Sequence, residues 1–270
     1  MKLFLYLIIL IGFASCRNDQ SNDEQLLEEE TPMISFSVKS RFNHNVHAFT
    51  EGLLFHKGDL YESTGSPDEF PESESIIGIV DLKTGSINQK VKLDRSRYFG
   101  EGIVFLNNRL FQLTYKNQIC FVYDAGSFKK IGQYSFSNKE GWGLTTDSTS
   151  IIMSDGTNEL TYIKPDNFQV LKKVSVSENG YAVPYLNELE YINGYIYANV
   201  WTKNEIVKID PVNGKVIGKL DLTSLKQEAL SINSQAQETN GIAYNPVTKS
   251  IFVTGKFWPK IYELEIGDHK

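Results

Sequence analysis

The chain has 270 residues, 41% of them hydrophobic and 12% aromatic, and a formal net charge of −6. This length and composition suffice for a sizeable hydrophobic core, and repeat architectures of this length commonly form one domain. The acidic balance and the lack of a basic stripe argue against a nucleic-acid-binding protein, so we expect no nucleic-acid partner.

Residues 1–16 have the organisation of a signal peptide. Lys2 precedes a continuous apolar run over residues 3–13, which is too short to span a bilayer as a mature helix. Two small residues then stand directly before Cys16, and this ending resembles a bacterial lipoprotein signal, in which the cysteine is lipidated and becomes the mature N-terminus. We therefore expect a protein of the bacterial cell envelope, periplasmic or on the cell surface, anchored to the membrane through Cys16. An ordinary secretory signal with an incidental cysteine is the alternative.

Residues 17–32 form an acidic segment with six acids and one base. Such a segment cannot bury enough apolar surface to order itself, so we expect a disordered tether. The remaining residues 33–270 carry a net charge of only −2 and are expected to form the folded domain. With Cys16 assigned to the lipid, the single remaining cysteine, Cys120, has no disulfide partner and is expected to be a small buried hydrophobe in its apolar run.

A pattern of short apolar runs separated by turns recurs five times along residues 51–266. The five copies open at positions 51, 101, 142, 187 and 240, and a repeat of roughly 40–50 residues built from strands and turns is typical of a propeller blade. The fourth copy shows the pattern best: it predicts strands over 189–192, 195–201, 205–210 and 215–220, with a hairpin turn at Asn193-Gly194. We therefore predict an all-β fold, a five-bladed β-propeller of four-stranded antiparallel blades.

The last copy provides only three strands. The alternating segment 34–40, which precedes the first copy, is expected to supply the missing outer strand, because this would close the ring and remove an exposed sheet edge. The best helix candidate is 222–228, with Thr223 or Ser224 as its N-cap.

Blade geometry then predicts where the polar residues meet. The first strand of a blade lies innermost and the second runs back beside it, so the start of one and the end of the other share one mouth of the central channel. Two sets of residues therefore meet at this mouth. The starts of the first strands contribute Glu51, Glu101, Trp142, Asn187 and Asn240, and the ends of the second strands contribute Thr64, Tyr115, Asp155, Trp201 and Lys256. Such a set favours a site for a small polar ligand with apolar contacts.

Glu101 is the strongest functional candidate in this ring. An inward-facing carboxylate among aromatic rings lowers stability without an evident structural return. Loss of hydration would raise its pKa, so that it can exchange a proton near neutral pH. Asn240, Thr64 and Asp155 are more simply explained as partners for backbone groups of neighbouring blades.

His44 and His47 are the one pair that suggests a metal. They stand three residues apart on a predicted loop without a third ligand nearby, so we favour a polar loop over a metal site. Sequence motifs of serine hydrolases, zinc peptidases and nucleotide-binding proteins are absent, which leaves carboxylate chemistry as the candidate.

Several segments of the repeats carry a family resemblance, in the right order over residues 42–266. They include Phe99-Gly100-Glu101-Gly102-Ile103, Glu140-Gly141-Trp142-Gly143-Leu144, Leu186-Asn187-Glu188-Leu189-Glu190 and Val253-Thr254-Gly255-Lys256-Phe257-Trp258-Pro259. Together they resemble the plant-type (papaya-type) glutaminyl-peptide cyclotransferases and their bacterial relatives. The resemblance implies a five-bladed propeller that converts the N-terminal glutamine of a peptide or protein into pyroglutamate, releasing ammonia, without a catalytic metal or other cofactor. We expect a monomer.

The resemblance also implies roles for individual residues. Glu101 matches the family's catalytic glutamate. Tyr115 stands where the family typically has tryptophan, which keeps an aromatic wall and adds a hydroxyl, and Glu51 stands where plant members have glutamine and bacterial relatives have glutamate. The other residues that match the substrate pocket are Phe49, Trp142, Asn187, Trp201 and Lys256.

The chemistry suits such a pocket, because the substrate's α-amine must attack its own side-chain amide carbon. Aromatic walls would hold the compact conformer, Glu101 would carry the proton, and Asn187 or Lys256 would polarise the amide oxygen. Glu51 would hold the α-amine or tune Glu101 by like-charge coupling, which would raise one of the two pKa values. Two alternatives remain open: a glycoside hydrolase that uses two carboxylates, and a non-catalytic propeller that binds peptide termini.

Overall fold

The structure, a computed structural model, describes residues 30–267. In chain order, β1 (Phe36–Asn43) precedes blade 1, which consists of β2 (Phe49–His56), β3 (Asp59–Gly65), β4 (Ile76–Val80) and β5 (Ile87–Lys92). Blade 2 consists of β6 (Gly100–Leu106), β7 (Arg109–Thr114), β8 (Ile119–Asp124) and β9 (Lys130–Ser135). Blade 3 consists of β10 (Leu144–Thr146), β11 (Ile151–Met153), β12 (Glu159–Ile163) and β13 (Val170–Ser175), and a small hairpin of β14 (Ser177–Glu178) and β15 (Tyr181–Ala182) follows it.

Blade 4 consists of β16 (Leu186–Ile192), β17 (Tyr195–Val200), β18 (Glu205–Ile209) and β19 (Val216–Asp221). The helix α1 (Thr223–Ile232) leads to blade 5, which consists of β20 (Thr239–Asn245), β21 (Ser250–Gly255), β22 (Lys260–Ile266) and β1. Five antiparallel four-stranded sheets thus form a five-bladed β-propeller, which confirms the predicted fold.

The burial of each strand follows from its place in the blade. Inner and central strands such as β3 are buried along nearly their whole length, because both of their faces pack against neighbouring blades. The outer strand β1 alternates between half-buried and exposed residues, since one face meets solvent. In β3, by contrast, even the polar residues Glu62, Ser63 and Thr64 are buried.

The two ends of the described chain close the ring. β1 pairs antiparallel with β22, from Phe36 opposite Ile266 to Asn43 opposite Lys260. The predicted outer strand is therefore confirmed, although it begins and ends slightly later than residues 34–40. Ile34 lies just before it, buried, with its N–H donating to the Lys219 carbonyl at 2.7 Å.

The predicted helix is present, but its cap differs from the prediction. Leu222, not Thr223 or Ser224, is the N-cap residue, and it makes no side-chain capping bond. The Thr223 N–H donates to the Asp221 carboxylate at 2.8 Å instead. Leu222 is fully buried, so packing places the helix start one residue earlier than the capping pattern indicates.

Two further predictions concern Cys120 and the histidines. Cys120 is free and fully buried, as expected. His44 is buried with both ring nitrogens engaged, Nε2 with Glu62 at 3.0 Å and Nδ1 with the Trp258 carbonyl at 2.7 Å, so it is not available as a metal ligand. Within residues 30–267 no cluster of three or more metal-ligating side chains occurs.

The N-terminal predictions fall largely outside the described residues. The signal peptide, Cys16 and most of the 17–32 tether precede residue 30. Of the tether's last residues, Pro32 accepts a hydrogen bond from the Lys219 N–H at 3.0 Å. No helix between residues 30 and 267 is long and apolar enough to cross a membrane.

Candidate active site

The inner strands approach one another closely at the end of the channel where the repeats open. Gly143, the residue after Trp142, lies so near blade 4 that a Cβ at this position would be 2.1 Å from the Asn187 carbonyl oxygen. The Ser154 hydroxyl bridges the two strands, accepting from the Gly143 N–H at 2.7 Å and donating to the Asn187 carbonyl at 2.6 Å. This spacing brings the opening residues of neighbouring blades into one site.

A cavity of about 930 Å³ occupies this mouth. All eight residues that the sequence proposes for catalysis or substrate binding line it: Phe49, Glu51, Glu101, Tyr115, Trp142, Asn187, Trp201 and Lys256. Their convergence follows from the blade topology, because each stands at the start of an inner strand or the end of a second strand.

Two buried carboxyl groups, Glu51 and Glu101, lie side by side at the inner end of the cavity. Both carboxylate oxygens of Glu51 have a partner: Lys256 Nζ lies 2.8 Å from Oε1, and Asn240 Nδ2 donates to Oε2 at 2.9 Å. Within residues 30–267, Glu101 forms no ion pair with a lysine, arginine or histidine. The two acids therefore differ in their surroundings, one being held by a cation and the other facing the cavity.

Their surroundings shift the proton affinity of both groups. Burial raises the pKa of Glu101 well above its usual range, and the neighbouring Glu51 carboxylate raises that pKa further. Burial also raises the pKa of Glu51, but the charge and hydrogen bond of Lys256 oppose that rise. When the pair carries one proton, Glu101 is therefore the group that holds it.

Aromatic rings form two walls of the cavity. Trp142 and Trp201 pack edge to face, with ring centroids 5.8 Å apart. In a second group, Phe99 links Phe49 and Tyr115, at centroid distances of 5.9 and 5.8 Å. The carboxyl pair thus shares its cavity with two groups of aromatic rings.

Lys256 and Asn187 supply the remaining polar groups. Lys256 Nζ lies 4.3 Å from the centre of the Phe49 ring in addition to its bond with Glu51, so its position is fixed. The Asn187 Oδ1 atom is buried and has no hydrogen-bond partner among residues 30–267. An amide with unused hydrogen-bonding capacity beside a cavity can bind the amide group of a ligand.

The polar residues that we interpreted as structural do make structural contacts. Asn240 donates to the Thr50 carbonyl at 2.9 Å as well as to Glu51, and Thr64 donates to the Glu74 carbonyl at 2.6 Å. Asp155 accepts from the Asn138 side chain at 2.7 Å, although it also lines the cavity. Asn240 therefore has a second effect, since it helps to hold Glu51 in its ionised form.

Among the cavity residues that the sequence analysis did not propose, Glu140 and Tyr185 contact the two tryptophans of the site. Glu140 accepts a hydrogen bond from Trp142 Nε1 at 2.9 Å, which fixes the indole, and its charge contributes to the raised pKa of Glu101. The sequence did contain a signal for Glu140, because this residue stands two positions before the proposed pocket residue Trp142. Tyr185 packs against Trp201 and has a positive φ of 66°, which no local sequence pattern indicates.

Comparisons with known proteins show which family the chain belongs to. A family model described as glutamine cyclotransferase matches residues 7–266. A glutaminyl-peptide cyclotransferase from Arabidopsis thaliana is 39% identical over 231 residues, which is 85% of this chain and 70% of the relative. The crystal structure of the glutaminyl cyclase from Myxococcus xanthus has a TM-score of 0.78 and 32% identity, over 88% of this chain and 100% of that chain. The resemblance found in the sequence is thereby confirmed, and the chain belongs to the glutamine cyclotransferase family.

Proposed function

We propose that this enzyme, a glutaminyl-peptide cyclotransferase by its family, uses Glu101 as the group that moves the proton during cyclisation. The substrate is a peptide or protein with an N-terminal glutamine, and the products are a pyroglutamyl chain and ammonia. The observation that supports the role of Glu101 is its position: a buried carboxyl group that faces the cavity while its neighbour Glu51 is bound to Lys256.

The reaction needs one proton to change places. The α-amino nitrogen attacks the side-chain amide carbon, so a carbon–nitrogen bond forms at the ring and the bond to the amide nitrogen breaks. Glu101 donates its proton to the departing nitrogen and takes the excess proton of the attacking nitrogen, so that neutral ammonia leaves and Glu101 ends as it began. The raised pKa of Glu101 suits this exchange, because it lets the carboxyl group hold a proton that it can donate to the departing nitrogen.

Asn187 and Lys256 are proposed to act on the amide of the substrate. A primary amide offers both a donor and an acceptor, and the Asn187 side-chain amide, which lines the cavity and has an unsatisfied acceptor in Oδ1, can pair with it. Lys256 keeps two further N–H donors beyond its bond to Glu51, and these can stabilise charge that develops on the amide oxygen.

The aromatic walls are proposed to select the reactive conformer. An extended glutamine side chain keeps its amide carbon far from its own α-amine, whereas a folded one brings them into contact. Trp142, Trp201 and Tyr115 narrow the space beside Glu101 and favour the compact form, which is a positioning effect rather than a chemical one.

The test is the substitution Glu101→Gln, followed by mass spectrometry of a Gln-initiated peptide for loss of ammonia. We expect kcat to fall by roughly 10²–10⁴-fold, the range that general acid–base catalysis contributes. The variant should unfold at a temperature close to that of the unchanged protein, because glutamine is isosteric and no ion pair is lost. A folded variant with near-normal kcat would refute the assignment.

The same assay separates the two alternatives. Binding of a Gln-initiated peptide without a change in its mass would indicate a binding propeller, and hydrolysis of a glycoside would indicate the two-carboxylate alternative. Membership of the cyclotransferase family favours neither of them.

Localisation rests on the sequence before residue 30. We propose that Cys16 is lipidated and anchors the enzyme to a membrane of the bacterial cell envelope, and that the enzyme is a monomer. Expression of Cys16→Ser should move the protein from the membrane fraction to the soluble fraction after cleavage of the signal. Retention of this variant in the membrane would contradict the anchor.

A further inference from the structure

The cavity is larger than a glutamine residue requires. Its volume of about 930 Å³ lies near the upper end of the range that holds drug-sized ligands, and one amino acid is much smaller than such a ligand. Its lining includes Glu159 on β12 and Lys173 on β13, the third and fourth strands of blade 3. The cavity therefore continues from the central channel outward as a groove over blade 3.

One side of this groove is formed by an exposed aromatic pair. Tyr185 is 47% exposed and Trp201 is 36% exposed, and their ring centroids lie 5.7 Å apart at an interplanar angle of 70°. Trp201 in turn packs on Trp142. A series of three rings thus leads from the catalytic end of the cavity to its open end.

The backbone of Tyr185 is strained. Its φ of 66° places it in the left-handed region, which is unfavourable for a bulky side chain. Two hydrogen bonds hold it there: its N–H donates to the Gly156 carbonyl at 2.9 Å, and its carbonyl accepts from the Trp201 N–H at 2.8 Å. The exposed ring and the strained backbone each lower the stability of the fold. Strained positions of this kind cluster at ligand-binding sites.

We infer that Tyr185 and Trp201 bind the side chain of the residue that follows the glutamine, and that the groove over blade 3 receives the chain beyond it. The inference rests on the proposed function, because the glutamine must be seated beside Glu101 for the next residue to reach this pair.

The pair selects for large apolar or aromatic side chains at the second position of the substrate, since ring edges and faces give favourable contacts with such groups. Selection by charge is weak there, because the groove's Glu159 and Lys173 neutralise each other in an ion pair of 2.7 Å.

The experiment compares three substrates on the full-length chain: glutaminamide, a Gln-Gly peptide and a Gln-Phe peptide of equal length. Tyr185→Gly is the informative variant, because glycine accepts a φ of 66° without strain, so removing the ring should not prevent folding. For the Gln-Phe peptide we expect kcat/KM to fall roughly three- to tenfold. For glutaminamide and the Gln-Gly peptide we expect a change of less than about twofold.

Two control variants accompany Tyr185→Gly. Tyr185→Phe keeps the ring and should retain the preference for the Gln-Phe peptide. Tyr181→Gly removes a tyrosine that is 74% exposed in the neighbouring hairpin but does not line the cavity, and it should leave all three substrates unchanged.

An equal loss on all three substrates would overturn the inference, because it would mean that Tyr185 only supports Trp201. An unchanged preference in Tyr185→Gly would overturn it as well. Failure of the unchanged enzyme to cyclise glutaminamide would instead contradict the proposed function, so the two failures are distinguishable.

Discussion

At the scale of single residues, the site gives two adjacent glutamates different properties through their partners. Glu51 is bound by Lys256 and Asn240, which favour its ionised form. Glu101 has the negative Glu51 beside it, which favours its protonated form. In the proposed mechanism, two copies of the same residue type thus serve as a proton carrier and as a fixed charge.

We expect Glu51→Gln to shift the pH dependence of kcat/KM. Removing the negative charge beside Glu101 lowers the pKa of Glu101, so the limb of the profile that Glu101 governs should move to lower pH, by roughly one unit or more. The loss of kcat should be smaller than for Glu101→Gln, because the proton carrier remains. A profile of kcat/KM from about pH 5 to 10 measures both effects.

Glu140→Gln is the matched comparison. The charge of Glu140 also raises the pKa of Glu101, but less than that of Glu51 does, and a glutamine oxygen can still accept the Trp142 indole hydrogen. The pH profile of Glu140→Gln should therefore also move to lower pH, but by less than the profile of Glu51→Gln. If Glu51→Gln were as damaging as Glu101→Gln, the roles of the two acids would have to be exchanged.

At the scale of elements, close packing of the inner strands decides whether the site forms. Four of the five repeat openings place glycine after the functional residue, and the fourth copy has Glu188 instead. The buried Glu188 carboxylate accepts the N–H groups of Leu53 at 3.1 Å and Ile242 at 2.8 Å. This side chain therefore links inner strands of blades 4, 1 and 5 across the channel.

We expect Gly143→Ala to separate two of these strands. The added methyl group would overlap the Asn187 carbonyl, so β10 and β16 must move apart, displacing both Trp142 and Asn187. The free energy of unfolding should fall by about 1–3 kcal/mol, and kcat/KM by roughly tenfold or more, since small misplacements are costly in catalysis. Urea denaturation and steady-state kinetics measure these quantities.

Gly132→Ala is the control for this prediction. Gly132 lies on the outer strand β9, and a Cβ there would meet nothing within 4 Å. Its substitution should leave both quantities nearly unchanged. Wild-type kcat/KM in Gly143→Ala would show that the strand spacing does not set the site.

At the scale of the whole molecule, the propeller buries several acids whose pKa values are raised. Burial raises the pKa of Glu190 to about 8, and it raises the pKa values of Glu101 and Glu188 well above the usual range. In the unfolded chain these groups titrate near pH 4.3. The folded protein therefore binds more protons than the unfolded chain between about pH 4.3 and 8.

The free energy of unfolding should consequently fall as the pH rises through this window. We expect a decrease on the order of 1–3 kcal/mol between about pH 5.5 and 8.5, measured by urea denaturation at each pH. Glu190→Gln removes one of the titrating groups and should make the decrease shallower. A free energy that is constant or rises over this range would contradict the prediction.

The sequence by itself determined the architecture and the membership of the site. The repeat defines five blades, the short last copy requires an additional strand, and blade topology brings strand starts and ends to one mouth. Because these consequences need only local pattern and chain connectivity, they place seven of the eight proposed residues at the cavity, and the family resemblance adds Phe49.

The tertiary structure alone decided which partners those residues have. Glu51 meets Lys256 and Asn240 from the last blade, which is distant in the chain, and Glu140 accepts the hydrogen bond that holds the Trp142 indole. The strained Tyr185 depends on backbone bonds to blades 3 and 4. Such pairings follow from how closed blades pack against one another, and the proposed roles of the two acids and of the groove over blade 3 depend on this packing.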